Sequence, residues 1–140
     1  MTKYSFYRFA FPFRAQRQRR LRENREDVTW EVFSRGIVVG CRHEEITRSI
    51  WDHLRDSQAF IEDFRPLPED GLAEIYAMGA EEVRDNLIEP ISDMLNLDLS
   101  RYDFKGFDFA ALKTPSDVAQ FLMTLARETN ELQTVSKSTK

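Results

Sequence analysis

Asp27-Val28-Thr29-Trp30-Glu31-Val32-Phe33-Ser34-Arg35-Gly36-Ile37-Val38-Val39-Gly40-Cys41 is the stretch on which the fold class turns. Val28, Trp30 and Val32 alternate with Thr29 and Glu31, and Ile37-Val38-Val39 is a β-branched run. With Ser34-Arg35-Gly36 as the turn, the pattern predicts a hairpin over 27–41. The competing reading is a helix started by Asn24, with Glu26 and Asp27 in its first turn and Gly36 as its stop. Strand propensity and alternation agree over two successive segments, which favours the hairpin.

Working back toward the N-terminus, Tyr7, Phe9, Phe11 and Phe13 share one parity and Arg8 and Pro12 the other, so residues 4–11 read as a half-buried strand. Pro12 has no backbone donor, which places that strand at an edge or ends it there. Residues 14–26 offer no apolar face except Leu21, and read as a solvated helix or a loop.

Working forward, helical spacing takes over after residue 43. Ile46, Ile50 and Leu54 recur every four residues beside Trp51, with Glu44 and Glu45 suited to a first turn. This helix should reach about Phe64 and stop before Pro66-Leu67-Pro68. Leu72, Ile75 and Tyr76 mark a short helix ending near Gly79. Val83, Leu87, Ile91 and Met94, joined by Ile88 and Leu95, mark another, with Pro90 expected to kink or restart it. Residues 98–112 read as a loop. Thr114 as N-cap, Pro115 at the first helical position and Asp117 at the third define the last helix, with Val118, Phe121, Leu122 and Leu125 as its buried face. The expected fold is therefore α+β: a short N-terminal antiparallel sheet packed by three or four helices. One globular domain would span 1–132, with a flexible tail over 133–140.

The composition supports a packed core. Hydrophobic residues make up 41% of the 140, with 11 Phe, too apolar for a disordered chain. Cys41 is the single cysteine, so no internal disulfide can form. No apolar run nears the roughly 18 residues of a membrane span. The N-terminus lacks the apolar core of a secretory signal, and its six aromatics argue against a transit peptide. These features point to the cytoplasm and away from membranes.

The chemistry sought is mostly absent from the sequence. His43 and His53 are the available neutral-pH acid/base groups, and Cys41-Arg42-His43 offers at most half of a metal site or an unoriented thiolate–imidazole pair. Glycine-rich phosphate loops and the nucleophile elbow do not occur. Glu44-Glu45, Glu69-Asp70 and Glu81-Glu82 read as solvated or first-turn pairs. The expectation is no catalytic residue, no cofactor and no metal.

Asp85-Asn86-Leu87 with its following apolar helix, Leu97-Asp98-Leu99, and Leu112-Lys113-Thr114-Pro115-Ser116-Asp117-Val118 loosely resemble the second half of an acyl carrier protein. In that family an Asp-Ser-Leu motif opens the recognition helix and its Ser carries phosphopantetheine. Asn86 stands at the matching position and has no hydroxyl, so the resemblance implies a helical arrangement and argues against carrier activity.

Charge supplies the remaining candidate. Residues 1–25 hold eight Lys and Arg against Glu23, a net of +7, which leaves −11 for the rest of a chain whose total is −4. Arg14, Arg17, Arg19, Arg20, Arg22 and Arg25 lie within twelve residues and are the candidate partner-binding set. Arginine suits bidentate recognition of carboxylate or phosphate. A blander reading makes them a solvated face that pairs with the protein's own acidic helices. The leading expectation is a non-enzymatic regulator or inhibitor (immunity, anti-defence or adaptor type) that occupies a partner protein's acidic surface. The alternative is a small nucleic-acid-associated regulator using residues 14–25, which the acidic remainder of the chain disfavours.

Overall fold

Residues 27–41 form a helix and a loop, not a hairpin. In the computed structural model, which describes residues 11–100, 102 and 106–138, helix α2 spans Trp30–Arg35. Thr29 is its N-cap, its Oγ1 accepting from the Val32 N–H at 3.4 Å, and Gly36 is its C-cap. The residues that turn inward are Phe33, Ser34 and Ile37, with Trp30 half-buried, which is the three-to-four spacing of a helix. The period-2 set fails at Val32, which is exposed, and the Val38-Val39 pair stands 70% and 80% exposed instead of lying in a sheet. Gly36 is required by proximity: a Cβ there would meet Pro68 Cγ at 2.8 Å.

Among the described residues there is no strand, and the fold is all-α, correcting the α+β expectation. The strand expected over 4–11 lies outside the described residues except for Phe11, which precedes helix α1, Pro12–Glu23. Phe11 stacks on Phe60 with ring centroids 5.1 Å apart.

The remaining helices lie in the segments the sequence assigns them, but the one expected to reach about Phe64 stops at Gln58. Helix α3, His43–His53, continues into a π turn over Leu54–Gln58 and ends in an extended residue, Ala59, well before Pro66. Helix α4 is Leu72–Tyr76. Helix α5, Ala80–Val83, runs through a second π turn, Arg84–Ile88, into α6, Glu89–Leu95. Pro90 explains that turn: its missing N–H and its ring cannot continue an α ladder, and the wider turn, with Glu89 N–H on the Arg84 carbonyl, accommodates both. The extra residue also shifts the buried face. Val83, Leu87, Ile88 and Ile91 are buried, but Met94 is 54% exposed and Ser92 is buried instead. A 3₁₀ turn over Phe109–Ala111 precedes helix α7, Pro115–Ser138, whose backbone is helical into the stretch read as a tail.

The N-terminus of α7 is built as expected. Asp117 N–H donates to Thr114 Oγ1 at 3.1 Å, and Asp117 Oδ2 accepts from the N–H groups of Lys113 and Thr114 at 3.0 and 3.3 Å. Val118, Leu122 and Leu125 are its buried face. Phe121 is only partly buried and belongs to a separate aromatic cluster with Tyr102, Phe107 and Phe109. The core joins α3 and α7 through Ile46, Ile50, Leu54 and Leu122, and closes with Phe64, Leu72, Leu87, Ile88 and Ile91, all essentially inaccessible. No described helix is long and apolar enough to cross a membrane.

Candidate binding face on the first helix

Helix α1 has almost no apolar stripe, yet it is fastened to the body along its whole length. Apart from the buried Ala15, its inward positions are polar. Arg14 Nη1 donates to the carbonyls of Ala73 and Glu74, each at 2.7 Å. Gln18, with no exposed surface, uses both halves of its amide: Nε2 donates to the Ile75 carbonyl at 2.8 Å, and Oε1 accepts from the Phe60 N–H at 2.8 Å. Arg22 Nη1 donates to the Glu62 carbonyl at 2.8 Å. Ala73, Glu74 and Ile75 lie in the last turn of α4; the Ala73 carbonyl also accepts from the Ala77 N–H at 3.1 Å, whereas the carbonyls of Glu74 and Ile75 lie past the helix's own donors. Side chains of α1 supply those missing donors, and a guanidinium suits the negative end of a helix dipole.

Just past α1, Arg25 closes the series. Its guanidinium makes a bidentate pair with Asp70 at 2.8 and 2.7 Å, and Nη1 also donates to the Arg65 carbonyl at 2.9 Å. Its charge lies 5.5 Å from the Phe64 ring centroid. Asp70 Oδ2 accepts in addition from the Leu67 N–H, so the ion pair pins the Pro66–Pro68 breaker.

The six arginines therefore divide. Arg14, Arg22 and Arg25 point at the protein, while Arg17, Arg19 and Arg20 are exposed and, among the described residues, their guanidinium groups make no hydrogen bond or ion pair. Their carrier helix shows one further outward side chain of note, Phe13, 85% exposed. At 100° per residue Phe13, Arg17 and Arg20 share a face, with Arg19 on its flank beside Glu23. Intramolecular pairing with acidic helices, the bland reading, does not describe this segment. Its fixed arginines bind backbone carbonyls, and Asp70, in a loop, is the one carboxylate they take. Gln18 and Asp70 were invisible as site residues in the sequence, although the spacing Arg14, Gln18, Arg22, Arg25 is that of one helix face.

The other sequence candidates sit in local structure. His43 Nε2 lies 3.0 Å from the Ile37 carbonyl, and His53 Nδ1 lies 2.8 Å from the Ser49 carbonyl. Cys41 is half-buried, with the Asn130 amide 3.5 Å from its Sγ. Asn86 falls inside the second π turn, its Nδ2 3.4 Å from Gln58 Oε1, and does not open a helix as the carrier-protein motif would. Glu45 is held below the ordinary carboxyl range chiefly by its hydrogen bond from Arg42.

Two shallow cavities flank Trp30. One of about 370 Å³ is lined by Trp30, Arg42, Glu44, Glu45 and Arg48. The other, of about 280 Å³, adds Trp51, Arg55 and Arg65. Ion pairs to Glu45, Asp52 and Asp63 balance the cations there. A third cavity of about 280 Å³ lies among Leu72, Met78, Val83, Phe109 and Leu112. The outer face of α1 groups three exposed cations that make no ion pair among the described residues. No protein-family model matches the chain, and neither a curated protein nor a solved structure matches it.

Proposed function

We propose that this protein is a non-enzymatic regulator or inhibitor, acting in the cytoplasm, that uses the outer face of α1 to occupy an acidic surface of a partner protein. The supporting observation is the division of labour on α1. Arg14, Gln18 and Arg22 hold the helix through backbone carbonyls, and Phe13, Arg17, Arg19 and Arg20 stand outward without internal partners. A helix already fixed in place loses little freedom on binding, which favours affinity. Arginine next to an aromatic ring is the composition that dominates binding energy at protein interfaces. Three free arginines are a modest polyanion footprint, and the rest of the chain is acidic, so a protein partner fits better than nucleic acid.

The test is affinity capture with Arg17→Glu/Arg19→Glu/Arg20→Glu beside the unmodified protein, with and without nuclease. Surface changes of this kind should each alter stability by less than about 0.5 kcal/mol. The proposal expects a partner that resists nuclease, is lost with the triple variant, and binds more slowly as salt rises. Capture abolished by nuclease would favour the nucleic-acid reading, and identical capture by both proteins would remove the face from consideration.

A further inference from the structure

The chain also carries the complement of its own basic face. Along residues 80–95 the exposed positions include Glu81, Asp85, Glu89 and Asp93, a step of four each time. In a plain α-helix such steps drift by about 40°. The π turn over Arg84–Ile88 is wider per turn and takes back part of that drift, so the four carboxylates stay close to one line. Among the described residues none of the four has a hydrogen bond or ion pair, and the neighbouring cation, Arg84, is turned to the Phe109 ring at 6.0 Å. The two faces belong to different neighbourhoods: α1 packs on α4, whereas 80–95 packs on α3, α7 and the 3₁₀ turn.

Taking the outer face of α1 as a docking surface, on which this step rests, we propose that its occupant in the absence of another partner is a second copy of this chain. Arg17 and Arg20 of one copy lie against Asp85 and Glu89 of the next. Charge complementarity selects this occupant, because each copy exposes a cationic helix face and an anionic one that it does not pair internally. The contact is heterologous, using different surfaces on the two copies, so assembly should grow through successive species unless the rotation closes a ring. Self-association would cover the face that an acidic partner needs, and competition between the two would follow.

Sedimentation of the purified full-length chain tests this. At low ionic strength the average mass should rise with concentration from tens to hundreds of micromolar. It should return to the monomer in about 1 M salt, where charges are screened within about 3 Å. Arg17→Glu/Arg20→Glu alone and Asp85→Lys/Glu89→Lys alone should each remain monomeric. An equimolar mixture of the two variants should assemble again with the copies in alternation, because the two unaltered faces match each other and the two reversed faces are also opposite in charge. That rescue also shows that both variants are folded. A wild-type chain that stays monomeric throughout, or a mixture that does not pair although both variants keep wild-type helical circular dichroism, overturns the proposal. Monomeric behaviour together with loss of partner capture in Arg17→Glu/Arg20→Glu would overturn self-association while leaving the acidic-partner function intact.

Discussion

Arg25 and Asp70 meet through two parallel hydrogen bonds of 2.8 and 2.7 Å, with side chains only 10% and 4% exposed. The pair joins the end of α1 to the loop that follows Pro66-Leu67-Pro68, and each partner has a second bond, to the Arg65 carbonyl and from the Leu67 N–H. Removing one member leaves the other charged and buried. Asp70→Ala should therefore cost about 3–5 kcal/mol, and Arg25→Lys should recover little, because an ammonium cannot reproduce the planar fork. Chemical denaturation of the single variants and of Arg25→Met/Asp70→Leu checks this. The double variant should be much closer to wild type than either Arg25→Ala or Asp70→Ala, and additive losses would show that the pair is not coupled.

Gln18 makes a second point of attachment. Gln18→Ala strands the Phe60 N–H and the Ile75 carbonyl, both bonded to its amide. Each orphaned buried group costs about 1–3 kcal/mol. Gln18→Glu keeps the acceptor for Phe60 but turns a carboxylate oxygen toward the Ile75 carbonyl, so it should be no better than alanine at neutral pH. Hydrogen exchange should show faster exchange at the Phe60 amide in Gln18→Ala, and a smaller change in Gln18→Glu, which keeps the acceptor. An unchanged Phe60 amide would mean that α1 is held by something else.

These attachments explain what could and could not be read from the sequence. The start of α7 was legible because Thr114, Pro115 and Asp117 are contiguous and their bonds are local. The inward face of α1 was not, since its side chains are mostly polar and their partners lie 42 or more residues away for Arg14 and Gln18. Period-based reading looks for an apolar stripe, and here the stripe is arginine and glutamine satisfying backbone carbonyls. The same device recurs at Arg42, which donates to the Leu95 carbonyl at the end of α6, and at Arg65, which donates to the carbonyls of Glu26 and Val28. The hairpin expectation failed for a related reason. Val28, Trp30 and Val32 alternate, but the cap at Thr29 and the burial of Phe33, Ser34 and Ile37 select a helix. Of the six candidate arginines, charge alone could not separate the three that face the body from the three that face out.

The last helix offers a contrast between neighbouring residues. Leu122 has no exposed surface, whereas Phe121 is partly buried in the Tyr102–Phe107–Phe109 cluster. Leu122→Ala should cost about 2–5 kcal/mol by leaving a cavity. Phe121→Ala should cost less than the 3–5 kcal/mol typical of a fully buried Phe. Thr114→Ala should cost about 1 kcal/mol through the lost cap. Urea midpoints rank the three, and a Phe121→Ala loss exceeding that of Leu122→Ala would place the aromatic cluster at the centre of the fold.

Tyr76 gives the pH-dependent case. It is 3% exposed, its ring meets Phe64 edge-on at 5.7 Å, and among the described residues its hydroxyl has no hydrogen-bond partner. Burial holds the phenol well above its ordinary value, the Asp70 charge pushes in the same direction, and Arg25 opposes them. A pKa raised in the folded state means that the unfolded chain loses this proton first. The associated stability is fully present below about pH 10, the unfolded value, and is lost as pH rises beyond it. Tyr76→Phe removes an unsatisfied hydroxyl, whose burial costs about 1–3 kcal/mol, and deletes the titration. The variant should be about 1 kcal/mol more stable than wild type at pH 7 by the same reasoning, and its advantage should widen above about pH 10. Paired urea titrations at neutral and alkaline pH measure both quantities. Equal stability at pH 7 would show that a water satisfies the hydroxyl, and an advantage that fails to widen at high pH would show that Tyr76 is not the group being held protonated.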